Sequence, residues 1–422
     1  MSVDDRHSAS HTLVIGGGVI GVCCAWYLSK RGARVTVLER DQVGKGASFG
    51  NAGTIAPGHG AINKPGRVGQ ALKSLFDPLS PLYVAPRLDP ELVRWLWAFI
   101  RTCTEEHAAY TMGVLGRLGH ATSHLFDELV ASEKLDCCYH HEGYHEVYQT
   151  GHGLESAKRE AEFTRRYGFH PETLSGEALR EREPAISSRI LGGVFFPEAA
   201  RINPYRFVCE MAERARRNGA VFRTGVEVAD ILTAGGKVRG GRARDGETID
   251  ADAVVLAAGA YSVPLARKLG LKLPLQAAKG YHRDHKLGQG TPELRRACML
   301  GENLVFCTPM DGFLRLAGTL EFSGVNHEIR RPRLEQLTNA AKRYFNGLES
   351  NDSWSEWCGL RPCIADGLPA VGPVARYKGL FIATGHAMAG LTLGPITGKL
   401  IAEYILDGRP GMDIAALSPD RF

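Results

Sequence analysis

The chain has 422 residues, with 51 Lys plus Arg against 46 Asp plus Glu and a formal charge of +5. No block of five like charges occurs, which excludes a nucleic-acid binder that works through a basic surface. Apolar residues at 44% and charged residues at 23% exclude a disordered or collagen-like chain, and the length suits two or three domains or one large α/β enzyme with an inserted module.

Taken in chain order, Met1 to His11 is short, polar and mixed in charge, which predicts no cleaved secretory leader. From Thr12 to Glu39 an apolar run, Leu13-Val14-Ile15, leads through glycines into a helical stretch, and a second β-type run, Arg34 to Leu38, follows Gly32. That pattern predicts a βαβ unit. Asn63 to Tyr148 reads as an inserted, largely helical region, with Leu92, Leu96, Phe99 and Cys103 at helical spacing. A helix is expected from Asn203 to Asn218, then short strands turning at Gly235-Gly236, Gly240-Gly241 and Asp245-Gly246, then a buried strand at Ala253 to Leu256. Strand-like runs between Leu273 and Val325 and a helix over 332–346 predict a second sheet-based domain. A buried strand, Leu380 to Thr384, and a closing helix, Ile396 to Leu406, return the chain to its first domain. The ten cysteines show no metal-ligand spacing, so no metal site is expected. No apolar run of membrane-spanning length occurs, and a cytoplasmic chain follows, with peripheral contact on the inner face of the cell membrane left open.

Gly16-Gly17-Gly18-Val19-Ile20-Gly21 satisfies G-x-G-x-x-G between a strand and a helix. Gly16 permits the tight turn, Gly18 lets backbone N–H groups approach a pyrophosphate, and Gly21 lets the helix lie close on the strand. Glu39, at the end of the second strand, is placed to accept hydrogen bonds from an adenosine ribose. A glycine-rich turn without a ligand is the alternative. FAD and NAD share this fingerprint. The absence of a second such motif, and the small-residue loop Gly44 to Gly53 close behind Glu39, select FAD.

Several stretches together resemble the D-amino acid oxidase superfamily, in particular its bacterial D-amino acid dehydrogenase members. They are the Gly16 to Glu39 unit, the loop Ala47-Ser48-x-x-Asn51-Ala52-Gly53-x-x-x-Pro57-Gly58 and the strand Val254 to Ala260. Two C-terminal motifs complete the set: Gly359-Leu360-Arg361-Pro362 continued by Asp366-Gly367-x-Pro369-x-x-Gly372, and Thr384-Gly385-His386 continued by Gly390-x-x-x-Gly394-Pro395. The match runs over nearly the whole chain in the right order. It implies an α/β fold: a Rossmann-like FAD-binding domain of glutathione-reductase type, formed by residues 1–70, 151–272 and 358–422, roofed by an α+β substrate domain from 71–150 and 273–357.

The resemblance also implies the chemistry. A D-amino or imino acid would give up a hydride from its α carbon to flavin N5, yielding an imine and then a 2-oxo acid, with electrons passed to a respiratory acceptor such as a quinone. A D-hydroxyproline or D-proline dehydrogenase and a glycine- or sarcosine-type oxidase using oxygen are rival readings, and a flavin-binding subunit of a larger assembly is the non-enzymatic one. Arg361 matches the arginine that binds the substrate carboxylate. Tyr281 resembles a roof tyrosine near that carboxylate, with a core tyrosine as its alternative, and His59 falls in a stretch that forms a lid in dehydrogenase-like members. The expected FAD shell comprises Gly16, Gly18, Val19, Ile20, Gly21, Glu39, Arg40, Ala47, Ser48, Asn51, Ala52, Gly53, Val226, Ala258 and Gly259. Gly385, His386, Gly390, Leu391 and Thr392 join it at the opening of the last helix, whose positive end would face the flavin. Arg315 and Glu321 read as structural charges, the Cys358 spacing follows the non-covalent pattern, and Trp95 and Trp97 mark either an interfacial helix or a core stripe.

Overall fold

The computed structural model describes residues 10–66, 69, 77–288, 290–349 and 353–422. Met1 to Ala9 and the expected boundary between residues 70 and 71 lie outside them. The strand His11–Ile15 is buried on both faces because it runs at the centre of a sheet. The six strands lie in the order 370–373, 380–384, 253–256, 11–15, 34–39 and 221–224, all parallel except the first. The helix Val19–Lys30 crosses between the first two strands in sequence and is buried on nearly every side, between the sheet and the helices Pro204–Arg217 and Gly390–Asp407. Gly21 makes its close approach to the strand: a Cβ there would lie 1.9 Å from the Gly16 carbonyl oxygen.

The expected helix after Asn203 spans Pro204–Arg217. The Asn203 side chain accepts the Arg206 N–H at 3.1 Å, and proline occupies the first turn, where its missing N–H costs nothing. The meander that follows, 228–234, 237–243 and 248–250, is antiparallel. Gly240-Gly241 lies inside its middle strand beside a register shift instead of forming a turn. The last helix begins at Gly390, six residues before the expected start, because Pro395 is accommodated within it.

The second sheet orders strands 355–364, 275–286, 313–322, 305–310, 297–300, 144–148, 192–196 and 172–175, with 82–84 paired alongside 313–322. Two parts of the expected domain division change here. Gly192–Phe196 pairs with Tyr144–Tyr148, and the helix Gly151–Arg165 packs on both, so residues 151–196 sit with the second sheet and not the first. Ser355–Ile364 pairs along its length with Leu275–Lys286, so the chain leaves the second sheet after Ile364 and not at residue 358.

Register divides this sheet into two faces. Trp357, Gly359 and Arg361 lie opposite His282, Gly280 and Ala278. From His282 the same face continues through Ala317, Phe306 and Met299 to Glu146. The other face carries Tyr281, Cys358, Leu314 and Leu316 and packs on Leu334, Leu337 and Ala341 of the helix Arg331–Tyr344.

Candidate active site

Between the two sheets lies a cavity of about 1160 Å³. At one end Gly16 adopts φ +109°, a left-handed conformation, under the Ala257 carbonyl. Glu39 is fixed at the tip of its strand, where Oε2 accepts the Gly17 N–H at 2.7 Å and Oε1 the Asp41 N–H at 2.9 Å. Gly18 precedes the helix Val19–Lys30 and provides no side-chain cap; the Val19 N–H is met instead by Ser48 Oγ at 3.0 Å. Gly16, Gly18, Val19, Ile20, Glu39, Arg40, Val226, Ala258 and Gly259 all line this end.

In the middle, Ala47, Ser48, Asn51 and Ala52 line the wall. Their loop is pinned to the roof by Arg315, whose guanidinium donates to the Phe49 and Asn51 carbonyls at 3.1 and 3.0 Å. The same guanidinium makes a two-pronged pair with buried Asp284 at 2.8 and 2.9 Å. Glu321 is likewise structural, bonded to Tyr281 and paired with Arg333. Opposite the loop, Gly390, Leu391 and Thr392 present the uncapped start of the last helix to the cavity, with His386 beside them. Burial holds His386 near a pKa of about 3, so it is neutral, and its Nε2 lies 3.0 Å from Thr397 Oγ1. Two helix N-termini thus open into one cavity, the first free of any side chain at Gly18. That arrangement fits FAD, with the pyrophosphate at the first helix and the electron-rich ring edge at the second.

Three expected shell residues stand behind this wall. A Cβ at Gly21 would strike Gly16, one at Gly53 would lie 2.5 Å from the Ile202 carbonyl oxygen, and one at Gly385 would lie 2.1 Å from Ile364 Cδ1. These glycines serve packing, and no surface of theirs faces the cavity.

Arg361 reaches over the roof strand Leu275–Lys286, and the surface it retains faces the cavity. Its NH1 donates to the Thr319 carbonyl at 2.6 Å, and among the described residues no carboxylate pairs with it. Desolvation lowers its pKa, the mark of a cation set among protein atoms without a counter-ion. Two features of the strands hold it there. Gly280 lies directly beneath the guanidinium, where a Cβ would be 2.2 Å from NH1. Thr319 takes φ +64° at a bulge opposite Gly280, which turns its carbonyl toward Arg361. Neither residue was among those expected; a glycine inside a strand was the available signal for Gly280.

Tyr281 is corrected. It is one residue from Gly280 and therefore on the opposite face, 1% exposed, with its hydroxyl donating to Glu321 Oε2 at 2.9 Å. Cys358 shares that face and directs its thiol to the His327 carbonyl at 3.1 Å, away from the cavity. His59 lines the cavity, with Nδ1 2.9 Å from the Gly60 carbonyl oxygen. Trp95 is core, its indole N–H donating to the Cys363 carbonyl, whereas Trp97 is exposed. Among the described residues no group of three or more His, Cys, Asp or Glu is placed to hold a metal ion, and no helix is long and apolar enough to cross a membrane.

The model of the family described as DAO, FAD dependent oxidoreductase, matches residues 11–404. The D-amino acid dehydrogenase of Methylobacterium nodulans is 32% identical over 416 residues, covering 97% of this chain and 98% of that protein. The D-amino acid dehydrogenase of Agrobacterium fabrum is 28% identical over 414 residues, 97% of this chain and 99% of that protein. Among solved structures, glycine oxidase from Geobacillus kaustophilus superimposes with TM-score 0.79 at 23% identity, over 98% of this chain and 100% of that one. L-proline dehydrogenase from P. horikoshii gives 0.75 at 19% identity, over 98% and 97%. These structural likenesses speak for the fold alone.

Proposed function

The chain belongs to the DAO family of FAD-dependent oxidoreductases, and from that premise we propose that it oxidatively deaminates a D-amino or imino acid and delivers the electrons to a membrane-borne acceptor of quinone type. The observation that carries the substrate half is Arg361. A half-buried guanidinium with one donor on the Thr319 carbonyl and, among the described residues, no carboxylate of its own is complementary to an anion, and its planar fork suits a carboxylate gripped by two hydrogen bonds.

Gly16, Gly18 and the first turn at Val19 would hold the FAD pyrophosphate, Glu39 its ribose, the 47–52 loop the flavin edge, and Gly390 to Thr392 the ring carbonyl side. Bound FAD would supply the two-electron oxidant for the substrate α carbon, and water would convert the resulting imine of a primary amine to the oxo acid and ammonia. What the chain itself adds is position and dryness. Arg361, held from below by Gly280 and from the side by Thr319, fixes one end of the substrate, and Ala317, Phe306 and Met299 close the roof over it with surfaces that exclude water. Neutral His386 leaves the positive end of the last helix unopposed by a further charge.

The acceptor half rests on the helix Pro90–Arg101. Leu92, Trp95 and Phe99 bury one face, while Val93, Trp97 and Ile100 stay 62%, 63% and 42% exposed on the other, a stripe suited to a membrane surface. A peripheral position on the inner face of the cell membrane follows.

The test is Arg361→Ala with a matched pair of substrates, a D-amino acid and the same amine without its carboxylate. Loss of about 2–5 kcal/mol in kcat/KM is expected for the amino acid and little for the amine. Equal damage to both would refute the carboxylate role.

A further inference from the structure

The far end of the cavity carries the opposite charge to Arg361. Glu146 lies on the same roof face, 9% exposed, and lines the cavity. Its Oε1 accepts the Tyr144 hydroxyl at 2.9 Å and its Oε2 the Tyr148 hydroxyl at 3.0 Å, which orients the carboxylate while leaving each oxygen a lone pair. Among the described residues no cation is bonded to it. Glu160, on the helix Gly151–Arg165, lines the same end and is paired with Lys64. Among the described residues Glu146 is thus a cavity carboxylate with no bonded cation, and Arg361 a cavity guanidinium with no bonded carboxylate.

The register sets the distance between them. Arg361 ends at the Thr319 carbonyl on strand 313–322, and Glu146 is three strands away, through Phe306 and Met299. At about 4.8 Å per strand that is roughly 14 Å across the sheet, and the two-residue step from Ala317 to Thr319 adds about 7 Å along the strand, for roughly 16 Å in all. A hydrogen bond of about 3 Å at each end leaves roughly 10 Å between the groups of one bound molecule. The geometry points to a substrate that carries its carboxylate at Arg361 and a cationic group, ammonium or guanidinium, at Glu146: a long, basic amino acid in preference to a short or apolar one. This inference rests on the carboxylate role of Arg361 proposed above and names the substrate class of that site.

The groups facing Glu146 give the preference a pH dependence. Burial, with Glu160 adding, pushes its pKa up to about 7 against the opposing pull of Tyr144, Lys64 and Tyr148. The carboxylate is therefore charged at pH 8 and loses its charge as pH falls through 7, while an alkyl ammonium stays charged throughout.

The experiment is calorimetric titration of the FAD-loaded protein with 6-aminohexanoate and with heptanoate, which has a methyl where the other has its ammonium. Neither can be oxidised as an α-amino acid, so binding is read apart from turnover. At pH 8 the aminohexanoate should bind at least tenfold tighter, a ratio that falls toward one by pH 6. Glu146→Gln should abolish both the preference and its pH dependence. As Glu146 is buried and a glutamine amide has one oxygen to accept from the two tyrosine hydroxyls, the wild-type pH series stands as the arm that needs no variant. Heptanoate bound as tightly as aminohexanoate at pH 8, or a preference that Glu146→Gln leaves intact, overturns this inference while leaving the Arg361 reading in place. If neither ligand binds, both readings are overturned.

Discussion

Adding one methyl group at Gly280 probes how Arg361 is held without touching its charge. The new Cβ would lie 2.2, 2.4 and 2.6 Å from NH1, Cζ and NH2 of Arg361, whereas ordinary contact needs about 3.5 Å, so the guanidinium must retreat by roughly 1 Å or more. The displaced atoms are the far end of a flexible side chain, so the strand itself need not move. Gly280 does not have a positive φ, and alanine also removes some conformational freedom from the unfolded chain, worth about 0.4–1 kcal/mol. Gly280→Ala should therefore keep its Tm and its flavin while losing about 100-fold in kcat/KM, the usual consequence of a 1 Å misplacement of a positioning group. Anaerobic stopped-flow reduction of the flavin by a D-amino acid, with Tm and flavin content measured on the same preparation, is the assay. A variant that reduces its flavin at the wild-type rate would show that the observed place of Arg361 is not the working one.

Two further outcomes follow from contacts elsewhere. At Gly18 a Cβ would meet only Ser48 Oγ, at 3.4 Å, so Gly18→Val should give a folded protein that has lost its FAD, whereas Gly21→Val, with the Gly16 carbonyl oxygen at 1.9 Å, should fail to fold; flavin absorbance and circular dichroism distinguish the two, and retention of FAD by the Gly18 variant would contradict the pyrophosphate site. His145 is fully buried, with neither ring nitrogen hydrogen-bonded among the described residues, and desolvation together with Arg296 and Arg182 holds its pKa down to about 4. The unfolded chain binds that proton near pH 6.5 and the native state does not, so stability falls as pH drops from 6.5 toward 4, by about 1.4 kcal/mol per unit for this one group. His145→Phe should flatten urea-unfolding stability across that window by about this slope, and an unchanged slope would mean the ring is protonated in the native state.

The βαβ unit was legible in the sequence because its signals are local: glycines at fixed offsets, an apolar run and an acidic residue at the next strand end. Arg361 was legible through the motif around it. Tyr281 was not. Its face is set by pairing with Cys358 and by a bulge near Thr319, both contributed by strands far along the chain, and a one-residue difference in a strand reverses the side on which a side chain stands. The same non-locality misplaced residues 151–196, whose sheet is decided by the parallel pairing of Tyr144–Tyr148 with Ala297–Leu300. Gly21, Gly53 and Gly385 carry the family pattern for packing reasons that no spacing separates from ligand contact. Glu146 did leave a trace, since Tyr144, Glu146 and Tyr148 alternate on one face of a strand. Only the cavity beside them gives that alternation a meaning.

Whether this cavity oxidises a D-amino or imino acid is decided by anaerobic titration of the FAD-loaded protein with a panel of D-amino acids, D-proline and the matching L-enantiomers, followed at the oxidised flavin band. Bleaching by at least one D-configured member of the panel, with release of its oxo or imino acid and with its L-enantiomer inert, is the predicted result. A flavin that no member of the panel bleaches, or that the L-enantiomers bleach equally well, would contradict it.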